Sequence, residues 1–239
     1  LMENNASKRV LFGHTPKAAG THLIEYFRSE LQYPVIQSDE KFDNGVWRDF
    51  TLDQVRKNAD TDHAFLCSHV LAFGWSSLVT LIPYAEKTQI VDTIQKFRSK
   101  DWFAFTFVRH PGELLTSFYY YILDAHERGW HDSVALHTLA VGRTLEEFVA
   151  EHYEKELIPD YWREYDFANV ASDENLRAFF SRHFGHVYEP KSSPRHASGS
   201  RGFEHYCKIR EISEETRTRI ENSQNMEIFQ EILRAGKSS

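Results

Sequence analysis

Three short apolar runs, Lys8–Gly13, Ala64–Cys67 and Trp102–Val108, each stop at a polar junction, and helical patterns fall between and after them. This recurrence constrains the fold more than any other feature of the chain. After the first run comes Thr-Pro-Lys-Ala-Ala-Gly, then Leu23, Ile24, Phe27 and Leu31 at helical spacing. Ser68-His69 follows the second run, and Ile90, Val91, Ile94 and Phe97 share one helical face before the third begins. Pro111-Gly112 ends the third, and Glu113–Leu123 continues as a helix with proline near its start, where a missing N–H costs least. Strands that are apolar on both faces and alternate with helices predict a parallel sheet covered on both sides. The expected class is therefore α/β in three layers, with its sites at the carboxyl ends of the strands.

Thr144-Leu-Glu-Glu147 has capping-box spacing and opens another helix, and a final amphipathic helix is expected from a Ser213 cap to about Leu233. Its apolar side would be Ile220, Ile228, Phe229, Ile232 and Leu233. Residues 190–202 are rich in Pro, Ser and Gly and read as a long loop, while residues 191–210 carry five cations against Glu204 alone. The chain has 239 residues, no internal repeat and no low-complexity tract, so one domain spanning 1–239 is expected. A net charge of −7 argues against nucleic acid or another long polyanion as partner, so any anion site must be local. Cys67 and Cys207 lie beside apolar or aromatic residues outside any metal spacing and read as two reduced, buried thiols. No apolar run reaches the length of a membrane span and no signal peptide is legible, so a cytoplasmic setting is expected.

Chemistry concentrates at the three strand ends. His14-Thr15-Pro16-Lys17-Ala18-Ala19-Gly20-Thr21-His22 lies between a strand and a helix, where successive backbone N–H groups can cradle an anion. Small residues let a phosphate approach the backbone, and Lys17 adds a charge that can reach across it. A Walker A loop places its lysine after the last glycine, whereas Lys17 precedes Gly20, so a common nucleotide-kinase loop fits poorly. The second junction reads Arg109-His110-Pro111-Gly112-Glu113-Leu114-Leu115-Thr116-Ser117-Phe118-Tyr119-Tyr120. Arg109 leaves a buried strand and Ser117 sits about two turns into the next helix, where both could meet one phosphate. The third is Cys67-Ser68-His69-Val70-Leu71-Ala72-Phe73-Gly74.

Together the first two segments resemble the cofactor-binding signatures of the sulfotransferases that use 3′-phosphoadenosine 5′-phosphosulfate (PAPS). One is the 5′-phosphosulfate loop and the other the 3′-phosphate segment, in that order and each on a strand-to-helix junction. The third resembles the strand-end histidine segment of carbohydrate sulfotransferases related to heparan sulfate 2-O-sulfotransferase, with Ser68 where the family often has glycine. Weaker echoes lie in Asp166–Val170 and in Asn225–Phe229, and they bear on fold more than on site. The resemblance implies a three-layer P-loop-like fold and transfer of a sulfuryl group from PAPS to an acceptor hydroxyl, with PAP as product. It implies His69 as general base and Lys17 as the charge on the leaving phosphate's bridging oxygen. Lys17, Ala18, Ala19, Gly20, Thr21 and His22 would hold the 5′-phosphate, and Arg109 and Ser117 the 3′-phosphate. Arg201 and Gly202 would close over the 3′-phosphate from the 190–202 loop.

Thirteen histidines invite a metal reading, but His14, His22, His63, His69 and His110 lack any paired ligand spacing, and no metal is expected. Two other classes remain open. An atypical ATP-dependent phosphotransferase would use the same loop, though Phe105-Thr106-Phe107-Val108 ends in Arg109 and not in an acidic magnesium ligand. A non-catalytic PAP-binding module would be expected to lack Lys17 or His69, and both are present. Asp39, Glu40 and Glu113 are carboxylates that could replace His69 as base. The acceptor, a sugar or other small hydroxyl compound, has no legible pocket motif. Trp47, Trp75, Trp130 and Trp162 suit sugar stacking and core packing equally.

Overall fold

The structure, a computed structural model, describes residues 8–37, 39–41, 47–62, 64–76, 78–79, 81–129, 134–189 and 199–238. Its strands are β1 (Arg9–His14), β2 (Val35–Gln37), β3 (Asp39–Lys41), β4 (Trp47–Asp49), β5 (Phe65–Ser68), β6 (Trp102–Val108) and β7 (Phe167–Val170). The helices α1 to α5 are Gly20–Ser29, Leu52–Lys57, Val70–Phe73, Lys87–Arg98 and Pro111–Glu127. Helices α6 to α11 are Val134–His137, Leu145–His152, Asp173–Phe184, Phe203–Lys208, Glu214–Glu221 and Gln224–Ser238. Five strands form an all-parallel sheet in the order β2-β5-β1-β6-β7, and β3 and β4 make a separate antiparallel pair. All three strands read from the sequence lie side by side in the middle, with Val10 of β1 opposite Phe65 of β5 and Phe103 of β6.

Successive side chains on β1 go to opposite faces, as the pleat requires. Leu11 joins Leu66, Ala104, Ile94 and Phe118 in one core, whereas Val10 and Phe12 join Phe27, Phe65, Phe105 and Phe179 in the other. The second core is largely phenylalanine, with ring centroids 4.3 Å apart for Phe27–Phe65 and 4.8 Å for Phe12–Phe105. Helices α1 and α8 supply it, and α4, α5 and α11 pack on the other face. From β1 the chain passes through α1 to β2, on the β5 side; from β6 it passes through α5 to β7, on the opposite side. Neighbouring strands whose exits diverge open a crevice at their carboxyl ends, and ligands of open parallel sheets bind there.

The C-terminal helix differs from its expected form. It is two helices, α10 and α11, broken at Asn222-Ser223. Asn222 Nδ2 donates to the Thr218 carbonyl at 3.0 Å, and Ser223 Oγ donates to the Ile220 carbonyl at 2.7 Å while accepting from Met226 N at 3.3 Å. Short polar side chains that bond nearby backbone end one helix and cap the next, and an apolar-spacing argument does not register this. The Thr144 capping box is present, with Glu147 N donating to Thr144 Oγ1 at 3.2 Å and Thr144 N to Glu147 Oε2 at 2.7 Å. Cys67 is buried as expected, but Cys207 is only partly buried; neither forms a disulfide. Lys191, Arg195 and Trp130 lie outside the described residues. Among the described residues no helix is long and apolar enough to cross a membrane.

Candidate functional site

The turn after β1 is strained. Lys17 (φ 63°) and Ala19 (φ 61°) are left-handed although neither is glycine, which costs roughly 1–2 kcal/mol each. Left-handed residues interleaved in a turn curl successive N–H groups toward one point, the concavity that binds anions. Ala19 begins α1 with no side-chain cap, so the first N–H groups of that helix have no side-chain acceptor there. The Thr15 hydroxyl, within the same turn, is buried and has no hydrogen-bond partner among the described residues. Lys17 is half-buried with its ammonium 4.6 Å above the Tyr121 ring, and no carboxylate forms an ion pair with it among the described residues. Burial pushes its pKa down to about 8, nearby Arg109 adds to the shift, and Asp124 opposes it. A cradle with an orphaned hydroxyl and an unpaired, partly desolvated ammonium suits an anion.

Arg109 joins this turn from β6. Its Nη1 donates to the Lys17 carbonyl at 3.1 Å and its Nη2 lies 3.5 Å from Glu113 Oε2, which leaves guanidinium N–H groups uncommitted. Burial lowers its pKa, and Glu113 counters that. Glu113 also accepts from Phe203 N at 2.9 Å, and a Cβ on Gly202 (φ 92°) would stand 3.3 Å from its carboxylate. One carboxylate thus draws the Arg201-Gly202 segment to the start of α5, and the Arg201 side chain stays exposed. Phe203 seals the junction, its ring pressed against Gly112. His110 caps α5 by accepting from Gly112 N at 3.1 Å, and Pro111 follows as the first helical residue. Ser117 is buried on α5.

His69 stands at the end of β5. Its Nδ1 donates to the His14 carbonyl at 2.9 Å, which leaves Nε2 without a partner among the described residues. The Asp49 carboxylate accepts from His69 N at 2.9 Å. His14 is buried and stacks on His69, with ring centroids 3.9 Å apart. Three segments far apart in sequence therefore converge at the carboxyl ends of β5, β1 and β6 through two bonds to the turn's own carbonyls. Around them, Ala18 is buried, Thr21 is exposed, and the His22 ring bonds the Tyr188 hydroxyl. Gly20 leaves room for His14: a Cβ there would fall inside the imidazole. Sequence reasoning gave that glycine to phosphate approach alone.

Asp49, His14 and Tyr121 are the residues that sequence reasoning missed. A lone carboxylate 20 residues upstream of His69 carries no local signal. His14 could have been found, because it adjoins the turn and ends a strand next to that of His69. The two weaker echoes are structural: Asp166 accepts from Ala104 N at 2.8 Å at the sheet edge, and Asn225 holds the 153–157 turn through Leu157 N, Tyr153 O and Lys155 O. A separate surface cavity of about 530 Å³, lined by Trp75, Lys87, Tyr153, Glu156 and Asp160, contains none of the site residues. Among the described residues no three His, Cys, Asp or Glu side chains are grouped to share a metal ion. No family model, curated protein or solved structure matches the chain.

Proposed function

We propose that the chain is a PAPS-dependent sulfotransferase, built on a P-loop-like fold, that sulfates a hydroxyl on a small acceptor. The observation that carries this reading is the bond from the Arg109 guanidinium to the Lys17 carbonyl. It puts two partly buried cations at the turn after β1, His69 from the end of β5 stacks at 3.9 Å on the His14 that enters this turn, and among the described residues Nε2 of His69 has no partner. Two cations, Arg109 beside Glu113 and Lys17 within the influence of Asp124 but in no ion pair among the described residues, suit a ligand with phosphates at two ends. Backbone N–H groups of Ala19 to Thr21, with the Thr15 and Thr21 hydroxyls, would donate to the 5′-phosphate, the Ala18 N–H being bonded to the Thr15 carbonyl at 3.2 Å, and Arg109 with Ser117 would hold the 3′-phosphate. Phe203, next to Gly202, shares the Glu113 carboxylate with Arg109. The cysteines, outside any disulfide, suit a cytoplasmic enzyme.

In this reading the co-substrate supplies an activated sulfuryl group, which passes to the acceptor oxygen as the phosphate–sulfate bond breaks and PAP leaves. His69 Nε2 takes the acceptor's hydroxyl proton, and the His14 carbonyl receives a stronger Nδ1–H bond as the ring becomes cationic. Lys17 neutralises charge growing on the leaving oxygen. Glu113 is committed to Arg109 and Phe203 N, which favours His69 over that carboxylate as base. Thermal unfolding with PAP, with ATP plus magnesium, and with ADP tests the assignment. PAP is expected to raise Tm well beyond the others, because only it carries a 3′-phosphate for Arg109. Equal stabilisation by ATP and magnesium would move the chain to the phosphotransferases.

A further inference from the structure

We propose that His14 is a positioning residue for His69: its carbonyl takes the Nδ1 proton, and its imidazole is the platform that keeps the His69 ring seated on that carbonyl in the Nδ1–H tautomer, with Nε2 left over. The role in catalysis rests on the reading of His69 as base; the positioning itself is a property of the unliganded chain. A histidine at a strand end ordinarily turns about two side-chain torsions, and either ring nitrogen can carry the proton. His69 is denied both freedoms. Asp49 fixes its backbone by accepting from its N–H, and the His14 carbonyl takes Nδ1–H at 2.9 Å. The His14 ring then covers one face at 3.9 Å with 26° between the planes. Rotation that would present Nδ1 to an acceptor must break that bond and slide one ring over the other.

The platform is itself immobile. His14 stacks on Phe12 at 5.3 Å, and Phe12 stacks on Phe105 at 4.8 Å, so His69 is the outer member of a column of rings rooted in the phenylalanine core. The His14 Nδ1 lies 3.6 Å from Cys67 Sγ, and the other edge of the His14 ring is packed against Gly20, where a Cβ would come within 1.7 Å of Nε2. Burial, with His69 and Lys17 adding to it, holds the His14 pKa well below the ordinary imidazole range. A ring that stays neutral offers its face to an imidazolium forming on His69 without opposing it. This also gives Gly20 a reason independent of any ligand.

Long-range ¹H–¹⁵N spectra of the histidine rings test this with no acceptor needed, the His69 signals being assigned by their loss in His69→Asn. In the PAP-bound parent, His69 is expected to carry its proton on Nδ1, and His14 to remain neutral through the range in which a free imidazole titrates. In His14→Asn, His69 is expected to lose its preference for Nδ1–H while the PAP dissociation constant, by calorimetry, stays within about twofold. A parent His69 protonated on Nε2 would overturn the proposal even if the variant failed to fold. So would an unchanged His69 spectrum in His14→Asn. A tenfold or greater loss of PAP affinity would assign His14 to the Lys17 turn instead. If the parent were stabilised equally by PAP and by ATP with magnesium, the sulfuryl-transfer reading would fall and the tautomer result would stand.

Discussion

Lys17 carries the most direct consequence of the site's electrostatics. Its pKa is held at about 8 by burial and by Arg109, and a bound phosphate must raise it. Because the bound form then holds the proton more tightly, binding takes up a proton above about pH 8, and PAP affinity falls as the pH rises through that window. Below it, Lys17 is charged in both states and contributes no slope. Calorimetry at pH 8 to 9 in two buffers of different ionisation heat is expected to report proton uptake in the parent and none in Lys17→Arg, whose charge persists. Equal, zero uptake in both would separate Lys17 from the anion. Glu113 acts in the opposite sense, as a carboxylate 3.5 Å from the guanidinium that would meet the 3′-phosphate. Glu113→Gln keeps an acceptor for Phe203 N and removes the charge, so PAP is expected to bind roughly threefold to tenfold more tightly. Weaker binding would mean that Glu113 chiefly holds Arg109 in place.

At the scale of elements, the carboxyl edge of β1 is fixed by a contact that no sequence pattern announced. Gly13 lies under the Tyr165 ring, where a Cβ would be 2.2 Å from the hydroxyl, and Tyr165 and Tyr161 both donate to the Leu71 carbonyl at 2.8 Å. The two tyrosines thereby tie α3, which follows His69, to the strand before the Lys17 turn. Gly13→Ala is expected to cost about 1–3 kcal/mol in urea unfolding, the range for overpacking a filled core, and to weaken PAP binding as the turn shifts. Unchanged unfolding would mean that Tyr165 moves aside freely. The three central strands, the α5 start and the Thr144 cap were legible because apolar runs, proline and capping pairs are local signals. Strand β2 was not, being three residues at the sheet edge, and neither was the Asn222-Ser223 break, where side-chain bonds override apolar spacing. Within the site, Lys17, Arg109 and His69 were readable from their junctions. Asp49 and Tyr121 act across the fold and left no trace nearby in sequence.

Over the whole molecule, histidines that the fold buries wholly or in part are expected to set the acid limit of stability. Burial is the largest cause of a lowered pKa at His14, His110, His152 and His183, and for His183 it brings the value to about 4, with Lys8 and Arg182 adding. In the unfolded chain each would titrate near the ordinary value of about 6.5. Between that value and the folded ones, the unfolded state binds more protons than the native state, so unfolding free energy rises with pH and is lost as pH falls. The loss begins near pH 6.5 and extends toward about 4 for His183, earlier than carboxylates alone would produce. Burial alone would raise the Glu146 carboxyl, but its bonds to Thr216 and Ser213 together outweigh that and lower it, so it adds to the same slope only at lower pH. Urea midpoints measured at half-unit steps are expected to decline from about pH 6.5, with about two or more protons taken up on unfolding near pH 5.5. His183→Gln, which removes one titrating group from a ring packed on Phe103 and Phe167, should flatten that decline without shifting its onset. A midpoint that stays constant down to pH 5 would show that these histidines reach water in the native state, and the neutral, buried His14 beneath His69 would be the first assignment to lose its footing.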